Sequence, residues 1–339
     1  MLAGIIGHQR PKRFLDRALT GGRLPHAYLF TGPEGIGKAT VAKALAASLF
    51  CRDGVEAVPC GHCPSCRQFA SGNHPDYIHI VPDGAAIKID QIREIKRQLA
   101  FAPLSARTRI ILIEEAQTMR REAGNSLLKI LEEPPPDNLF LVVASDAQPI
   151  LPTIVSRCQV LSFSPLTREE AVQVILAHAP ETGRERAALL ARITEGAPGQ
   201  ALAMKDGQCL EIFSQIITAL TKKECPASSL IEEVLYLAEG MAAAREELGL
   251  VFDLLKMLCK ELSVALLTGR DISLLAAREA KERERLRERW NLPQLSDKIH
   301  AIDRARQALA RNCNRALVCE VLLLDLLLDP VPDSHPRHK

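Results

Sequence analysis

The sequence predicts an α/β domain built on a parallel sheet, then a small helical unit, then a larger all-helical one. Three observations carry this. Short apolar strands alternate with amphipathic helices as far as Pro165, as in a parallel sheet covered on both faces. Strand signals then stop, and from about residue 209 Leu, Ala, Glu and Arg recur at helical spacing. A glycine-rich turn ending in Lys38 lies between the first strand and the helix that follows it. The expected domains are 1–165, 166–208 and 209–330, with a polar, flexible tail at 331–339. The chain has 339 residues, enough for two to three domains at about 150 residues each.

Each element follows from local pattern. His26–Thr31 (HAYLFT) is a short apolar run ending at Gly32, a buried strand entering a loop. Ala39–Leu49 is Ala-rich and helix-prone. Tyr77–Val81 reads as a second strand. Asp90–Ala100 spaces Ile92, Ile95 and Leu99 as on one helix face, with Asp90 as the expected N-cap. Arg109–Ile113 (RIILI) is a third, buried strand, and Arg120–Leu131 is a helix stopped by Pro134, Pro135 and Pro136. Leu139–Ala144 and Gln159–Phe163 complete five strands. Beyond Pro165, Thr167–His178 and Arg184–Thr194 read as short helices, Gly196-Ala197-Pro198-Gly199 as a break, and Gln200–Lys205 as the next helix.

Composition excludes several classes. Apolar residues make up 47% and charged residues 25%, which rules out a disordered or low-complexity chain. Nine Phe, three Tyr and one Trp argue against a platform of stacked aromatics for single-stranded nucleic acid. The net charge of +2 argues against wrapping nucleic acid by bulk charge. Leu248–Leu267 is interrupted by Asp253, Lys256, Lys260 and Glu261, and Cys319–Leu328 falls short of the roughly 20 residues of a membrane span. The N-terminus lacks the apolar stretch of an export signal, so a cytoplasmic protein without membrane partners is expected.

Gly32-Pro33-Glu34-Gly35-Ile36-Gly37-Lys38 has the composition of a phosphate-cradling loop. Backbone N–H groups and the helix dipole would face phosphates, with Lys38 reaching the terminal ones. ATP or ADP with Mg²⁺ is therefore a candidate ligand. A hydroxyl should follow the lysine to hold Mg²⁺, yet Ala39 stands there and the hydroxyl comes one residue late, at Thr40. One residue turns a helix by about 100°, so Thr40 does not simply replace it. RIILIEEA places Glu114 and Glu115 at the end of a strand, where an acidic pair would support Mg²⁺ and polarise water; the alternative is that both cap the next helix. An aspartate is usual at the first position, so Glu114 is a second departure.

Four of the ten cysteines, Cys51, Cys60, Cys63 and Cys66, fall within one short segment. Their spacing, with Gly61 and Pro64 favouring tight turns, suits a closed tetrahedral zinc site that folds a loop and leaves no coordination position for a reactant. A disulfide pair or idle thiols are the alternatives. The scattered cysteines read as core packing.

Taken together these segments resemble bacterial clamp-loader AAA+ subunits. The resemblance rests on the P-loop after HAYLF, the inserted four-cysteine module, NHPD at Asn73–Asp76 and the acidic strand end. It continues through NSLLKILEEPP at Asn125–Pro135, Ser156-Arg157-Cys158 and NCNRALVCEVLLLDLL near the C-terminus. It implies an AAA+ domain, a helical lid and a helical collar. The implied partners are ATPase subunits of the gamma/tau type, a delta subunit, the ring-shaped sliding clamp, and primed DNA through the assembly. By the same resemblance Arg157 is an arginine finger for a neighbouring subunit's ATP site; the plain alternative is a surface arginine. The family holds ATP-hydrolysing motors and a rigid stator. Ala39, Glu114 and Gly199 depart from the motor pattern, Gly199 standing where the motor type has a sensor arginine, so a stator with little or no ATPase and no polymerase activity is expected. A motor subunit is the alternative, and a DNA-repair helicase, which neither the cysteine module nor the LEEPP helix favours, comes third. Arg278–Arg289, with Glu279 and Arg283 as an i,i+4 pair, reads as a solvated helix rather than a DNA stripe.

Overall fold

The computed structural model describes residues 4–22, 24–53, 58–204, 208–222, 227–245, 247–269, 280–311 and 313–328. The elements run α1 (Gln9–Thr20), β1 (Ala27–Thr31), α2 (Lys38–Phe50), α3 (Pro64–Ala70), β2 (Tyr77–Ile80), α4 (Ile89–Gln98), β3 (Arg109–Ile113) and α5 (Arg121–Glu132). They continue β4 (Asn138–Ala144), α6 (Pro152–Val155), β5 (Gln159–Ser162), α7 (Arg168–His178), α8 (Arg184–Ile193), α9 (Pro198–Ala203) and α10 (Cys209–Thr221). The last are α11 (Ala227–Ala243), α12 (Leu248–Thr268), α13 (Ala280–Arg289), α14 (Leu292–Ala310) and α15 (Arg315–Leu327). Among the described residues they form two compact units, 4–178 with 194–201, and 179–193 with 202–328. Residues 166–208 contribute to both.

The first unit is a five-stranded parallel sheet in the order β2-β3-β4-β1-β5. The alternation of strands and helices predicts this parallel pairing, because each helix carries the chain back across the sheet. Alternate strand residues feed two cores. Leu29, Ile111, Ile113, Phe140 and Val142 meet Ile92 and Ile95 of α4 and Leu127 of α5 on one face. Tyr28, Phe30, Ile110, Leu112, Leu139 and Leu141 meet Leu15 of α1 and Val41 and Leu45 of α2 on the other. β3 and β4 are buried along their whole length, as central strands covered on both faces must be.

Four local details differ from the sequence expectations. Helix α4 starts earlier: Lys88 is its N-cap, Asp90 lies in its first turn, and the Gln91 side chain accepts the Lys88 N–H at 3.0 Å. The Gly196–Gly199 segment is not a break before a helix; Pro198 opens α9 from within, its fixed φ suiting the first turn. The structure adds α1, which buries Leu15, and α3, which begins at Pro64 inside the cysteine segment. Helix α7 starts one residue later than expected, at Arg168, with Thr167 capping it: Thr167 Oγ1 accepts the Glu170 N–H, and Glu170 accepts the Thr167 N–H at 3.0 Å.

The second unit is all helix. Its core gathers Phe213, Ile216, Met241, Phe252, Leu255, Leu286, Trp290, Ile302 and Leu323. The basic stretch is not wholly solvated: within α13, Leu286 is fully buried, and Arg289 donates to the carbonyls of Leu220 and Leu327, which tethers two helix ends. Glu279 lies outside the described residues, and nothing is described of the Arg283 side chain, so that pair is not seen. Among the described residues no helix is long and apolar enough to cross a membrane.

Candidate functional site

The candidate site lies at the carboxyl edge of the sheet, where parallel α/β folds collect ligands because strand ends and helix N-termini converge there. β1 ends at Thr31 and hands the chain to Gly32; the glycine-rich loop ends at Gly37 and Lys38 opens α2. β3 ends at Ile113 and presents Glu114 and Glu115 at the same edge. One strand, β4, separates the two. The structure thus brings together Gly32, Gly35, Gly37, Lys38, Glu114 and Glu115 at one edge.

Lys38 is 6% exposed. Its Nζ donates to the carbonyls of Gly32 and Pro33, both at 2.5 Å, and burial lowers its pKa. Ala39 supplies no hydroxyl, and Thr40 is exposed on the next step of the helix. The departure seen in the sequence therefore persists in three dimensions.

The outer side of the loop is fastened by three neighbours. His8 Nε2 hydrogen-bonds the Ile36 carbonyl at 2.7 Å. The Gly199 N–H donates to the Gly35 carbonyl at 2.7 Å, and Gln200 Nε2 donates to the Glu34 carbonyl at 3.3 Å. Gly35 has φ +74°, a left-handed conformation open to glycine, and Gly199 approaches it so closely that a Cβ there would lie 2.8 Å from the Gly35 carbonyl oxygen. In the other direction, a Cβ on Gly35 would lie 2.8 Å from the Gln200 nitrogen. This contact needs glycine at both positions.

Glu114 is not a free carboxylate. His79 on β2 meets it at 2.7 Å and Lys43 on α2 at 2.8 Å. The hydrogen bond from His79 and then the Lys43 ammonium outweigh burial and hold its carboxyl down to about 2. Glu115 is exposed and adopts φ +52°, an uncommon conformation for a side-chain-bearing residue. Its carbonyl accepts the Thr118 N–H, so its backbone, not its carboxylate, starts the following turn.

Arg157 lies elsewhere. It follows α6 and precedes β5, whose Gln159 is level with Tyr28 while Ser162 is level with Thr31. The P-loop begins beyond Thr31; Arg157 sits before Gln159. The two are thus at opposite edges of the sheet, separated by at least three strand residues, roughly 10 Å at about 3.3 Å per residue. Arg157 Nη2 pairs with Glu132 at 2.9 Å and Nη1 donates to the Thr153 carbonyl at 3.1 Å; its side chain remains 36% exposed.

The four-cysteine module also lies apart from the P-loop. The sulfurs of Cys51, Cys60, Cys63 and Cys66 all fall within 4.8 Å of one another, with Cys60 and Cys66 4.0 Å apart. A tetrahedral zinc with bonds of about 2.3 Å sets its sulfurs about 3.8 Å apart, so the donor set and its spacing fit zinc. All four are free of disulfide bonds. Backbone N–H groups point at the sulfurs: Cys60 to Cys51 at 3.2 Å, Cys63 to Cys60 at 3.3 Å and Cys66 to Cys63 at 3.4 Å. Such donors stabilise thiolate, the ligating form.

His8, Lys43, His79, Glu132 and Gln200 are site residues that sequence reasoning misses. Glu132 alone had a signal, its place in the LEEPP segment; each of the others is far in sequence from the group it meets, His8 from Ile36, Lys43 and His79 from Glu114, and Gln200 from Glu34.

Residues 7–167 match the protein family described as DNA polymerase III, delta subunit. The chain is 34% identical over 248 residues to DNA polymerase III subunit tau of Escherichia coli, covering 68% of this chain and 37% of that protein. It is 41% identical over 157 residues to DNA polymerase III subunit delta' of Bacillus subtilis, covering 46% of this chain and 47% of that protein. DNA polymerase III subunit gamma/tau of Mycobacterium tuberculosis is 38% identical over 195 residues, 57% of this chain and 31% of that one. The chain therefore spans less than half the length of these relatives.

Proposed function

The chain belongs to the family of DNA polymerase III clamp-loader subunits, and we propose that within it the chain is the stator, the delta-prime type. It would help load the sliding clamp onto primed DNA in the cytoplasm. Its partners would be gamma/tau-type ATPase subunits and a delta subunit. The observation that carries this reading is the packing of Gly199 on Gly35. A motor subunit would place a phosphate-sensing arginine at position 199, and here the main chain of residue 199 rests on the loop itself. Ala39 in place of a magnesium-binding hydroxyl supports the same reading, as does Glu114 held by His79 and Lys43. The 34% identity to a tau subunit over 68% of the chain favours the alternative, a gamma/tau-type motor.

The division of labour follows from charge and topology. Phosphoryl transfer spreads negative charge over the transferring group, and a guanidinium supplied by a neighbour stabilises it. Arg157 lies at the edge opposite its own P-loop, so the ATP it can serve belongs to the next subunit in a head-to-tail ring. The short helix α6 and the Thr153 carbonyl position it. ATP or ADP with Mg²⁺ at the chain's own loop would be held by the Gly35 and Gly37 backbone and Lys38, without turnover. Zinc held by Cys51, Cys60, Cys63 and Cys66 would supply structural closure only.

Two measurements test the reading. The isolated chain should show little or no ATP turnover; appreciable turnover abolished by Lys38→Ala would establish the motor alternative. In the reconstituted loader with clamp and primed DNA, Arg157→Ala should lower ATP turnover while assembly stays normal. An unchanged rate would remove Arg157 from catalysis.

A further inference from the structure

Residues 99–108 connect α4 to β3 and display two large apolar side chains, Phe101 at 73% and Leu104 at 79% exposure. The backbone beneath them is unusually well fastened for a surface loop. The N–H groups of Leu104, Ser105 and Ala106 donate to the Asp76 carboxylate at 2.6, 2.7 and 2.7 Å, and the Ser105 hydroxyl adds a fourth bond at 3.0 Å. Asp76 is fully buried. Burial opposes its charge, but the donors outweigh it and keep its pKa below the usual carboxylate value. Arg109 holds the other half of the loop, donating to the carbonyls of Gln98, Phe101 and Ala102.

The four-cysteine module is tied to this network at two points. Ser65, between Cys63 and Cys66, hydrogen-bonds His74 Nε2 at 2.8 Å. The His74 ring stacks on Phe50 with centroids 3.8 Å apart, and its Nδ1 accepts the Asp76 N–H at 3.2 Å. Because Nδ1 accepts, Nε2 carries the proton and donates to Ser65 Oγ. The Ser65–His74 pair is thus a structural tie, not a nucleophile with its base. The second tie is Arg52, adjacent to Cys51, whose Nη2 donates to the Ser105 carbonyl.

We propose that metal held by Cys51, Cys60, Cys63 and Cys66 fixes the conformation of residues 101–106 through Ser65–His74–Asp76 and through Arg52–Ser105. The module is a brace for the exposed Phe101–Leu104 surface rather than an isolated knuckle. This inference rests on the metal reading of the four cysteines. Without metal the module loses its closing bonds, Ser65 and Arg52 lose their fixed positions, and the donors on Asp76 are no longer supported from behind.

The test uses the full chain. Zinc content and amide hydrogen exchange are measured on one preparation, before and after metal removal by a chelator. Removal should speed exchange at Leu104, Ser105 and Ala106 by about tenfold or more, while β4 keeps its protection. Ser65→Ala and Arg52→Ala, which keep all four cysteines and their metal, should speed the same three amides. Loop amides indifferent to metal removal, or accelerated only together with β4, overturn the brace and leave the metal reading intact. A chain that binds no zinc overturns both.

Discussion

Arg157 and Lys38 stand at opposite edges of one parallel sheet. Lys38 follows the carboxyl end of β1, and Arg157 precedes the amino end of β5, which pairs beside β1 in the same direction. No rotamer change carries a guanidinium across the length of a packed strand. A phosphate held at Lys38 is therefore out of reach of Arg157 of the same chain, so the finger proposed for Arg157 requires a neighbour's nucleotide.

The first prediction concerns Arg157. Its pair with Glu132 is partly exposed on both sides, and such pairs are worth about 0–1 kcal/mol. Arg157→Ala should leave the melting temperature of the isolated chain within a few degrees. In the reconstituted loader it should lower turnover at the site it completes by about 10³-fold or more. Arg157→Lys should not restore the rate, because an ammonium lacks the planar fork. Calorimetry on the isolated chain and steady-state ATP hydrolysis by the loader check these outcomes.

Gly199 is expected to reject any side chain. Its Cβ would meet the Gly35 backbone at 2.8 Å, and overpacking costs about 1–3 kcal/mol. Gly199→Ala should lower stability by that amount. Gly199→Arg should restore no nucleotide turnover, since the obstacle is main chain rather than a missing charge. Denaturant unfolding and an ATPase assay on the two variants decide the matter.

Glu114 supplies a pH prediction. Its folded pKa, about 2, lies below the ordinary 4.5. A depressed carboxylate contributes stability that is fully present above its unfolded pKa and lost as pH falls toward the folded one. The native chain should therefore exceed Glu114→Gln in melting temperature at pH 7, and the gap should narrow between about pH 4.5 and 2. A gap that widens on acidification would contradict the assigned ion pairs.

The cysteine cluster should hold one zinc per chain. Cys63→Ser removes a buried ligand and should abolish stoichiometric binding, whereas Cys158→Ser, distant from the module, should keep it. Elemental analysis of purified protein distinguishes these results. A native chain free of zinc would return the four thiols to the idle-thiol reading.

Asp76→Ala should be among the costliest single changes in the first unit. It leaves three loop N–H groups unpaired and removes a buried carboxylate 4.0 Å from Arg109. Breaking such a buried arrangement costs about 3–5 kcal/mol. Equilibrium unfolding in urea, with its midpoint compared to the native chain, measures the loss.

The strands were legible because each is a short apolar run, and β3 and β4 are buried on every residue. The helix α4 was legible through Ile92 and Ile95, although its cap was not: Asp90 has the chemistry of an N-cap, yet Gln91 reaching back to Lys88 sets the N-cap two residues earlier. Helix α1 carries Phe14, Leu15 and Leu19 at helical spacing, a signal diluted by the charged residues interleaved with them. The cysteines were legible by spacing alone, and the fold brings their sulfurs to within 4.8 Å of one another.

By itself the sequence determined the alternation of strand and helix, the glycine loop with its missing hydroxyl, and the four-thiol module. Each of these is encoded in neighbouring residues, within reach of one turn or one strand. Only the tertiary structure decided that His79 holds Glu114 from 35 residues away, and that Gln200 closes on Glu34 from 166 residues away. It alone put Arg157 and Lys38 at opposite edges. Those relations depend on strand order and direction. Strand order is set by which faces the connecting helices bury together, and that choice is made by the whole chain at once.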